Sequence, residues 1–521
     1  MKALNSILTT AAIAGFAVNA NAQFPGAACG CPPVVSRTTV NVSTLLTGGN
    51  LANGQVWDCS KTYVLDQNGP AYVAPNGTLT IQPGTIIKGS TNSGLNASSL
   101  VVPRGSRIFA DGTAACQIVF TSVNDIAVNG TYPVTNTSQW GSLIVLGRAQ
   151  NNLLTGTTLS NGDGEGRIEG LDVADPRNLY GVNDGTANGV FTGTFINNDN
   201  SGVLRHVSLR HGGVTIGNAN EINGLTMGSV GNGTVVENIE IVSNEDDGIE
   251  CFGGTVNIKF ASMYFCQDDA FDVDQAYTGN MQFMFALQGG IGGVNNALLG
   301  DHILELDGDD SNQGVPTGFL GNPRIFNVTG IGNLGSSDPA VEMKDNFRGT
   351  VANSIFSNAV WGIRTIANSN LGAASFEAIE FFNNTFDGIT VAPVAPSSPA
   401  ETVTYVNSPA NNNITANGTL PDLTFDINNA AATVQPVPAA GAVGAGNPSA
   451  LIYSGIQPTT YRGAFAPGQV SWIAQGYLST PGQLALGNQP NGCRSDLNGD
   501  GLINGGDFSI FGGDFAAGSC N

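Results

Sequence analysis

Charge is scarce in this sequence. Only 11% of its 521 residues are Asp, Glu, Lys or Arg, less than half of the ~25% common in globular proteins. Exposed helices draw on such residues for their polar faces, so turns rather than charged helices are expected to dominate. Basic residues are scarcer still: 18 Lys and Arg stand against 40 Asp and Glu, a net charge of -22. That balance repels phosphate backbones and anionic lipid surfaces and attracts divalent cations, so nucleic acid is not an expected partner. Only three histidines occur. His206 and His211 have an odd separation that places them on opposite faces of a strand, and His302 stands alone. No zinc site and no Ser-His-Asp or Cys-His group follows from them. No Gly-rich phosphate loop joins a strand to a helix, which leaves nucleotide binding without support. Beyond the N-terminus no apolar run approaches the ~20 residues that span a bilayer.

Glycine, by contrast, is abundant at 71 residues, roughly double its usual share. The N-terminus reads MKALNSILTTAAIAGFAVNANA, in which Lys2 precedes a short apolar run ending in Ala20-Asn21-Ala22. This is the pattern of an export signal over residues 1–22, with the mature chain starting near Gln23, outside the cell or at its surface. An exported chain permits disulfides among the eight cysteines, and Cys493 with Cys520 is the expected local pair.

Several lines of sequence can be laid on one another: GTVVENIEIVSNEDDGIECFG from Gly233, GTVNIKFASMYFCQDDAFDVD from Gly254 and GTVANSIFSNAVWGIRTI from Gly349. Each has a short β-branched or apolar run, an Asn or Asp turn, then a second short run. Short strands separated by Gly, Asn and Asp at a period of ~20 to 25 residues mark a solenoid in which each repeat is one coil. A single coil cannot bury its apolar face, so coils stack with parallel strands. The fold expected is all-β, a right-handed parallel β-helix over residues 23–478, with handedness from the crossover rule. Between 370 and 460 the period weakens into Pro-, Ala- and Gly-rich text. Residues 461–477, YRGAFAPGQVSWIAQGY, are expected to pack back on the solenoid end as a cap. A linker at 479–492 then leads to a small module at 493–521.

The stretch NEINGLTMGSVGNG from Asn220, the acidic lines above, the late YRGAF and WGSLIVLGRA at Trp140 together resemble a widespread family of secreted bacterial β-helix proteins. The resemblance covers roughly Thr78 to Tyr477 and implies the β-helix and export, but it carries over no catalytic residues. β-Helix polygalacturonases are a sharper comparison, because they order an NTD turn, a DD turn, a GHG and an Arg-x-Lys segment. Here His211 lies upstream of the Asp pairs and no Arg-x-Lys follows, so those roles are not transferred.

The most specific motif is DLNGDGLINGGDF near the C-terminus. Asp496, Asn498, Asp500, the Leu502 carbonyl, Asn504 and Asp507 occupy the ligand positions of an EF-hand-type Ca²⁺ loop, with Gly501 at its sharp turn. Asp507 in place of a final Glu is typical of dockerin repeats, and the module resembles one half of a dockerin. A dockerin normally carries two such loops, so attachment to a cell-surface component is the broader expectation and a cohesin-like partner the narrower one. A weaker loop, NGDGEGRIEGLD, offers Asn161, Asp163, Glu165, Glu169 and Asp172 at similar offsets.

The acidic turns of the two adjacent repeats are the remaining candidates. Asp246 aligns with Asp268 and Asp247 with Asp269, so the pairs should stack on neighbouring coils ~5 Å apart. Like charges that close need a bridging Ca²⁺, a basic partner such as Lys259, Lys344 or Arg348, or a retained proton. Structural turns, a calcium site and catalysis all remain open. The reading of the whole is an exported calcium-binding protein that binds polysaccharide or scaffolds on it. The rivals are a polysaccharide lyase or O-glycosyl hydrolase using these carboxylates, and a structural surface fibre.

Overall fold

The computed structural model describes residues 26–475 and 485–486, apart from 130–131, 154–159, 161, 169, 184–193, 217–221, 289–299, 310–319, 367–368, 370, 372–378, 390–391, 417–432, 435–436, 439–453, 468 and 470. The chain is a parallel β-helix. One wall is a ten-stranded sheet whose neighbours follow one another along the chain. Its central strands are Leu143–Leu146, Leu225–Gly228, Ile249–Phe252, Phe271–Asp274, Leu304–Asp307, Pro339–Lys344 and Trp361–Thr365. The other two walls belong to one 17-stranded sheet folded along a corner.

The corner explains why some strands are long and others come in pairs. Gly202–Arg210, Val235–Val242, Asn257–Tyr264, Asn280–Leu287 and Arg324–Ile331 each run across both walls. They bend at His206, Asn238, Phe260, Phe283 and Asn327, all with φ between 48° and 60°. Asn accepts left-handed backbone most readily, and Asn353 and Asn383 take over the corner in later coils. At the two phenylalanines the strain is opposed by packing, because the Phe260 and Phe283 rings stack 4.9 Å apart. The repeated GTV line has its own requirement. Gly254 sits at φ +93, where a Cβ would lie 2.7 Å from the Val230 carbonyl oxygen.

Alternation along each strand builds the core. Leu225, Ile249, Phe271, Leu304 and Val341 share one register row, and Met227, Cys251, Val273, Leu306 and Met343 another. All ten are buried, each side chain contributing about 1.5–3 kcal/mol by leaving water. The residues between them point out of the same sheet, and they form the site described below.

The N-terminal segment is stapled to the first coils by Cys29–Cys116 and Cys31–Cys59. Cys251 and Cys266 are buried free thiols, while Cys493 and Cys520 lie outside the described residues. Strands continue through the Pro-rich stretch as far as Ile414–Ala416. The YRGAF segment takes a different place from the end cap that its apolar content suggested. It lies along the flank of the solenoid, because its polar groups match the corner of several coils. Asn327 donates to the carbonyls of Tyr461 and Gly463. Phe465 packs edge-on against Phe285. Buried Arg462 donates to the carbonyls of Asn384 and Asn412 and to the side-chain oxygens of Thr385 and Asn383.

Candidate functional site

The paired acidic turns sit where coils enter the ten-stranded sheet. The strands after them pair Ile249 with Phe271 and Glu250 with Asp272, which makes Asp247 and Asp269 equivalent. Asp247 Oδ1 accepts the backbone N–H of Asp269 at 2.8 Å. Asp269 Oδ1 accepts the backbone N–H of His302 at 2.6 Å and lies 2.8 Å from its Nδ1. The second acid of each pair is therefore a rung that satisfies a turn N–H of the next coil, a donor that would cost about 1–3 kcal/mol if left buried and unpaired. Asn244 of the same turn donates to the carbonyls of Ile222 and Asp247 at 3.2 and 2.8 Å.

His302 is thus a correction to the sequence reading, which left it isolated. The coil between Asp269 and His302 spans 33 residues, longer than the preceding 22, so His302 falls out of the visible repeat although it occupies the same rung.

The first acids of the turns make a rim: Asp246 is half-buried, while Asp268 and Asp301 are exposed. Asp246, Asp247 and Asp268 bring carboxylate oxygens within 4.8 Å of one another. Below the rim runs a row that sequence reasoning missed. Glu250, Asp272, Glu305, Glu342 and Arg364 are register partners on successive strands. The signal was present as an acid between apolar residues in IECF, FDVD, LELD and VEMK. Lys344 pairs in register with Asp307.

Basic side chains meet part of this charge. Lys344 Nζ lies 2.8 Å from Glu305 and 3.5 Å from Asp307. Arg364 pairs with Glu342, and with Asp338 at 3.4 Å. His302 is 3.8 Å from both Glu305 and Glu342. Of the other proposed basic partners, Lys259 belongs to the 17-stranded sheet beside Glu237 and Gln282. Arg348 donates to the carbonyls of Asn346 and Phe347.

Burial, reinforced by the surplus negative charge, favours the protonated form of four of these carboxyls. Burial, followed by the charges of Asp246 and Asp269, lifts Asp247 well above the carboxylate range. Burial and then Glu250 and Glu305 do the same to Asp272. Partial burial, Asp269 and Asp246 raise Asp268 to about 8. Burial and Asp269 raise Glu305 to about 7 against the opposing pull of Lys344. Burial alone would lower Lys344, but Asp307 and Glu305 outweigh it and hold its proton more tightly. His302 is likewise pulled down by burial and lifted beyond that by Asp269, to about 9.

Of the weaker calcium loop, Asn161 and Glu169 lie outside the described residues. Asp163 accepts the Glu165 N–H and an Asn183 amide, Glu165 pairs with Arg104 at 2.5 Å, and Asp172 accepts the Ala174 N–H. The C-terminal loop, Asp496, Asn498, Asp500, Leu502, Asn504 and Asp507, lies wholly outside the described residues, as does the N-terminal signal.

Residues 49–424 match the family described as pectate-lyase like β-helix domain. The chain belongs to that family. No curated protein matches it. Among solved structures, full-length tailspike protein 2 from an Escherichia coli O157:H7 bacteriophage is similar at 11% identity and a TM-score of 0.20, covering 63% of this chain. The chain spans 39% of that tailspike. Among the described residues no helix is long and apolar enough to cross a membrane.

Proposed function

We propose that this chain is an exported protein that binds polysaccharide along the acidic face of the ten-stranded sheet, and that its dockerin-like Ca²⁺ loop attaches it to a cell-surface or extracellular partner, a cohesin-like one included. The observation that carries the first part is the row of acids at the rim, Asp246, Asp268 and Asp301, with partly exposed Glu305 on the strands below it. Each coil adds one member every ~4.8 Å along the axis. A polysaccharide is also a linear repeat, and its vicinal hydroxyls are donors that a row of carboxylates can accept. Membership of a pectate-lyase-like family supports a glycan as the partner.

Cleavage is the second reading, and one observation favours hydrolysis over β-elimination. An eliminating enzyme needs a base, but Lys344 holds its proton more tightly than an ordinary lysine and Arg364 is committed to Glu342 and Asp338. Glu305, partly exposed and raised to about 7, is instead a carboxyl of the kind that donates a proton to a leaving sugar oxygen.

The test is gel-retardation electrophoresis of the mature protein through neutral, uronic-acid and amino-sugar polysaccharides, with reducing ends and unsaturated uronates measured in parallel. Retardation that weakens at least ~10-fold in the rim variant Asp268→Asn/Asp301→Asn is expected. Release of reducing ends lost in Glu305→Gln establishes hydrolysis. No retardation in any polysaccharide, or retardation unaffected by the rim variant, overturns the proposal.

A further inference from the structure

Three of the four tryptophans are taken up by the fold. Trp57 and Trp140 are fully buried, Trp57 stacked on Tyr63 at 4.6 Å and Trp140 on Phe120 at 6.2 Å. Trp472 stacks on Phe465 at 5.3 Å and donates its indole N–H to the Ala464 carbonyl. Trp361 is different. It is partly exposed, and among the described residues no aromatic ring stacks on it and no hydrogen bond reaches its indole N–H.

The register places this ring at the end of the acidic turns. Ile249, Phe271, Leu304, Val341 and Ile363 are partners on successive strands. Asp247, Asp269, His302, Pro339 and Trp361 each stand two residues before one of them, so Trp361 continues the column of rungs. Asp338, just before Pro339, extends the rim of Asp246, Asp268 and Asp301 by one coil and is partly exposed. It accepts the Ser336 hydroxyl at 2.6 Å and lies 3.4 Å from Arg364 of the Trp361 strand. Trp361 is two coils beyond Asp301 along the axis, ~10 Å away in that direction.

An indole plane beside a row of hydroxyl acceptors fits one kind of ligand. The C–H groups on one face of a pyranose ring are apolar and suit the negative π face of indole, while the hydroxyls at its edge reach for acceptors. The charge of the face decides which pyranose. Lys344 is paired with Glu305 and Asp307, Arg364 with Glu342 and Asp338, and His302 with Asp269. A uronate would meet Asp301 and Asp338 with these bases already committed, and like charges brought together cost affinity.

We propose that Trp361 is the stacking platform of the glycan face, and that the sugar it holds is a pyranose without a carboxylate, in a neutral chain whose hydroxyls Asp338 and Asp301 accept. Trp361 has this role only if the face binds polysaccharide, as proposed above, so the test must let the two readings fail separately.

The full mature chain is run by affinity electrophoresis through soluble neutral glucans, mannans, xylans and galactans and through polygalacturonate, in chelator to remove any cation bridge to a uronate. Tryptophan emission is recorded on titration with any neutral chain that retards it. Trp361→Ala should weaken retardation at least ~10-fold, and Trp361→Phe, which keeps a ring, should retain most of it. Binding should shift the emission of the wild type and not that of Trp361→Phe, because the other three indoles are held in stacks of the fold. Retardation by a neutral chain that is lost in Asp268→Asn/Asp301→Asn but kept in Trp361→Ala, or an emission shift that persists in Trp361→Phe, overturns the platform and leaves the polysaccharide reading standing. Stronger retardation by polygalacturonate than by every neutral chain overturns the sugar class while that reading stands. No retardation by any of the polymers overturns both.

Discussion

Neutralising Glu305 should stabilise the protein in alkaline buffer and not in acid. The folded protein lifts this carboxyl from 4.5 to about 7, so the native state binds its proton more tightly than the unfolded chain does. A carboxyl raised in this way contributes stability fully below about pH 4.5 and loses it as the pH rises through about 7. At about 1.36 kcal/mol per tenfold change in proton affinity, the wild type at about pH 8 bears a cost of roughly 3 kcal/mol. Glu305→Gln removes that cost but also weakens the 2.8 Å contact with Lys344, a partly exposed pair worth about 1 kcal/mol. The net expectation in chelator is a gain of about 2 kcal/mol at about pH 8 and none, or a small loss, at about pH 5. His302 adds to the same trend in the wild type. Raised from 6.5 to about 9, it contributes fully below about 6.5 and is lost as the pH rises through 9. Urea unfolding followed by circular dichroism at the two pH values measures the difference. A variant destabilised equally at both would show that Glu305 is already ionised and that its pair with Lys344 dominates, which would refute the reasoning.

Three further expectations concern the frame around this face. Arg462→Ala removes four named hydrogen bonds to neutral acceptors and should cost at least ~2 kcal/mol, with new limited-proteolysis cuts at 454–475; an unchanged digestion pattern would contradict the flank docking. Peptide mapping should find Cys29 joined to Cys116 and Cys31 to Cys59, with Cys251 and Cys266 alkylated only after unfolding, because they are buried and burial pushes both thiols up. The C-terminal segment from residue 479 onward should bind Ca²⁺ in its oxidised form and lose that binding in Asp496→Ala; absence of calcium heat in calorimetry would dispose of the dockerin-like loop.

The sequence made the solenoid legible wherever coil length stayed constant. The offset that aligned Asp247 with Asp269 is the register in which Glu250 pairs with Asp272, so the stacking of the acidic turns could be read directly. His302 and Glu305 could not be aligned, because a longer excursion separates them from Asp269. A loop that leaves the solenoid and returns changes the spacing in sequence without changing the register in space. The strand acids had a local signal, the alternation in IECF and FDVD, but period-two polar positions look alike whether they face solvent or a buried wall. Only packing shows that Asp272 is covered. Arg462 was hidden for a similar reason: nothing in YRGAF says that its guanidinium spans the corner carbonyls of other coils.

Protons and divalent cations compete for the same carboxylate oxygens. Glu305, Asp272 and Asp307 place oxygens within 4.8 Å of one another, so any divalent ion among them would disfavour a proton on Glu305. Metal binding to such a cluster releases protons and weakens as the pH falls. On the reading in which Glu305 donates a proton to a leaving sugar oxygen, the donor is the ion-free form of the face. Any release of reducing ends should fall as Ca²⁺ is raised, and the fall should be blunted in Asp272→Asn, where one carboxylate of the cluster is neutralised while Glu305 is intact. A calcium-dependent eliminating enzyme would behave in the opposite sense, gaining activity with the ion and producing unsaturated uronates. Measuring both products across a calcium titration separates the two chemistries, and a rise with calcium would remove Glu305 from the role of proton donor.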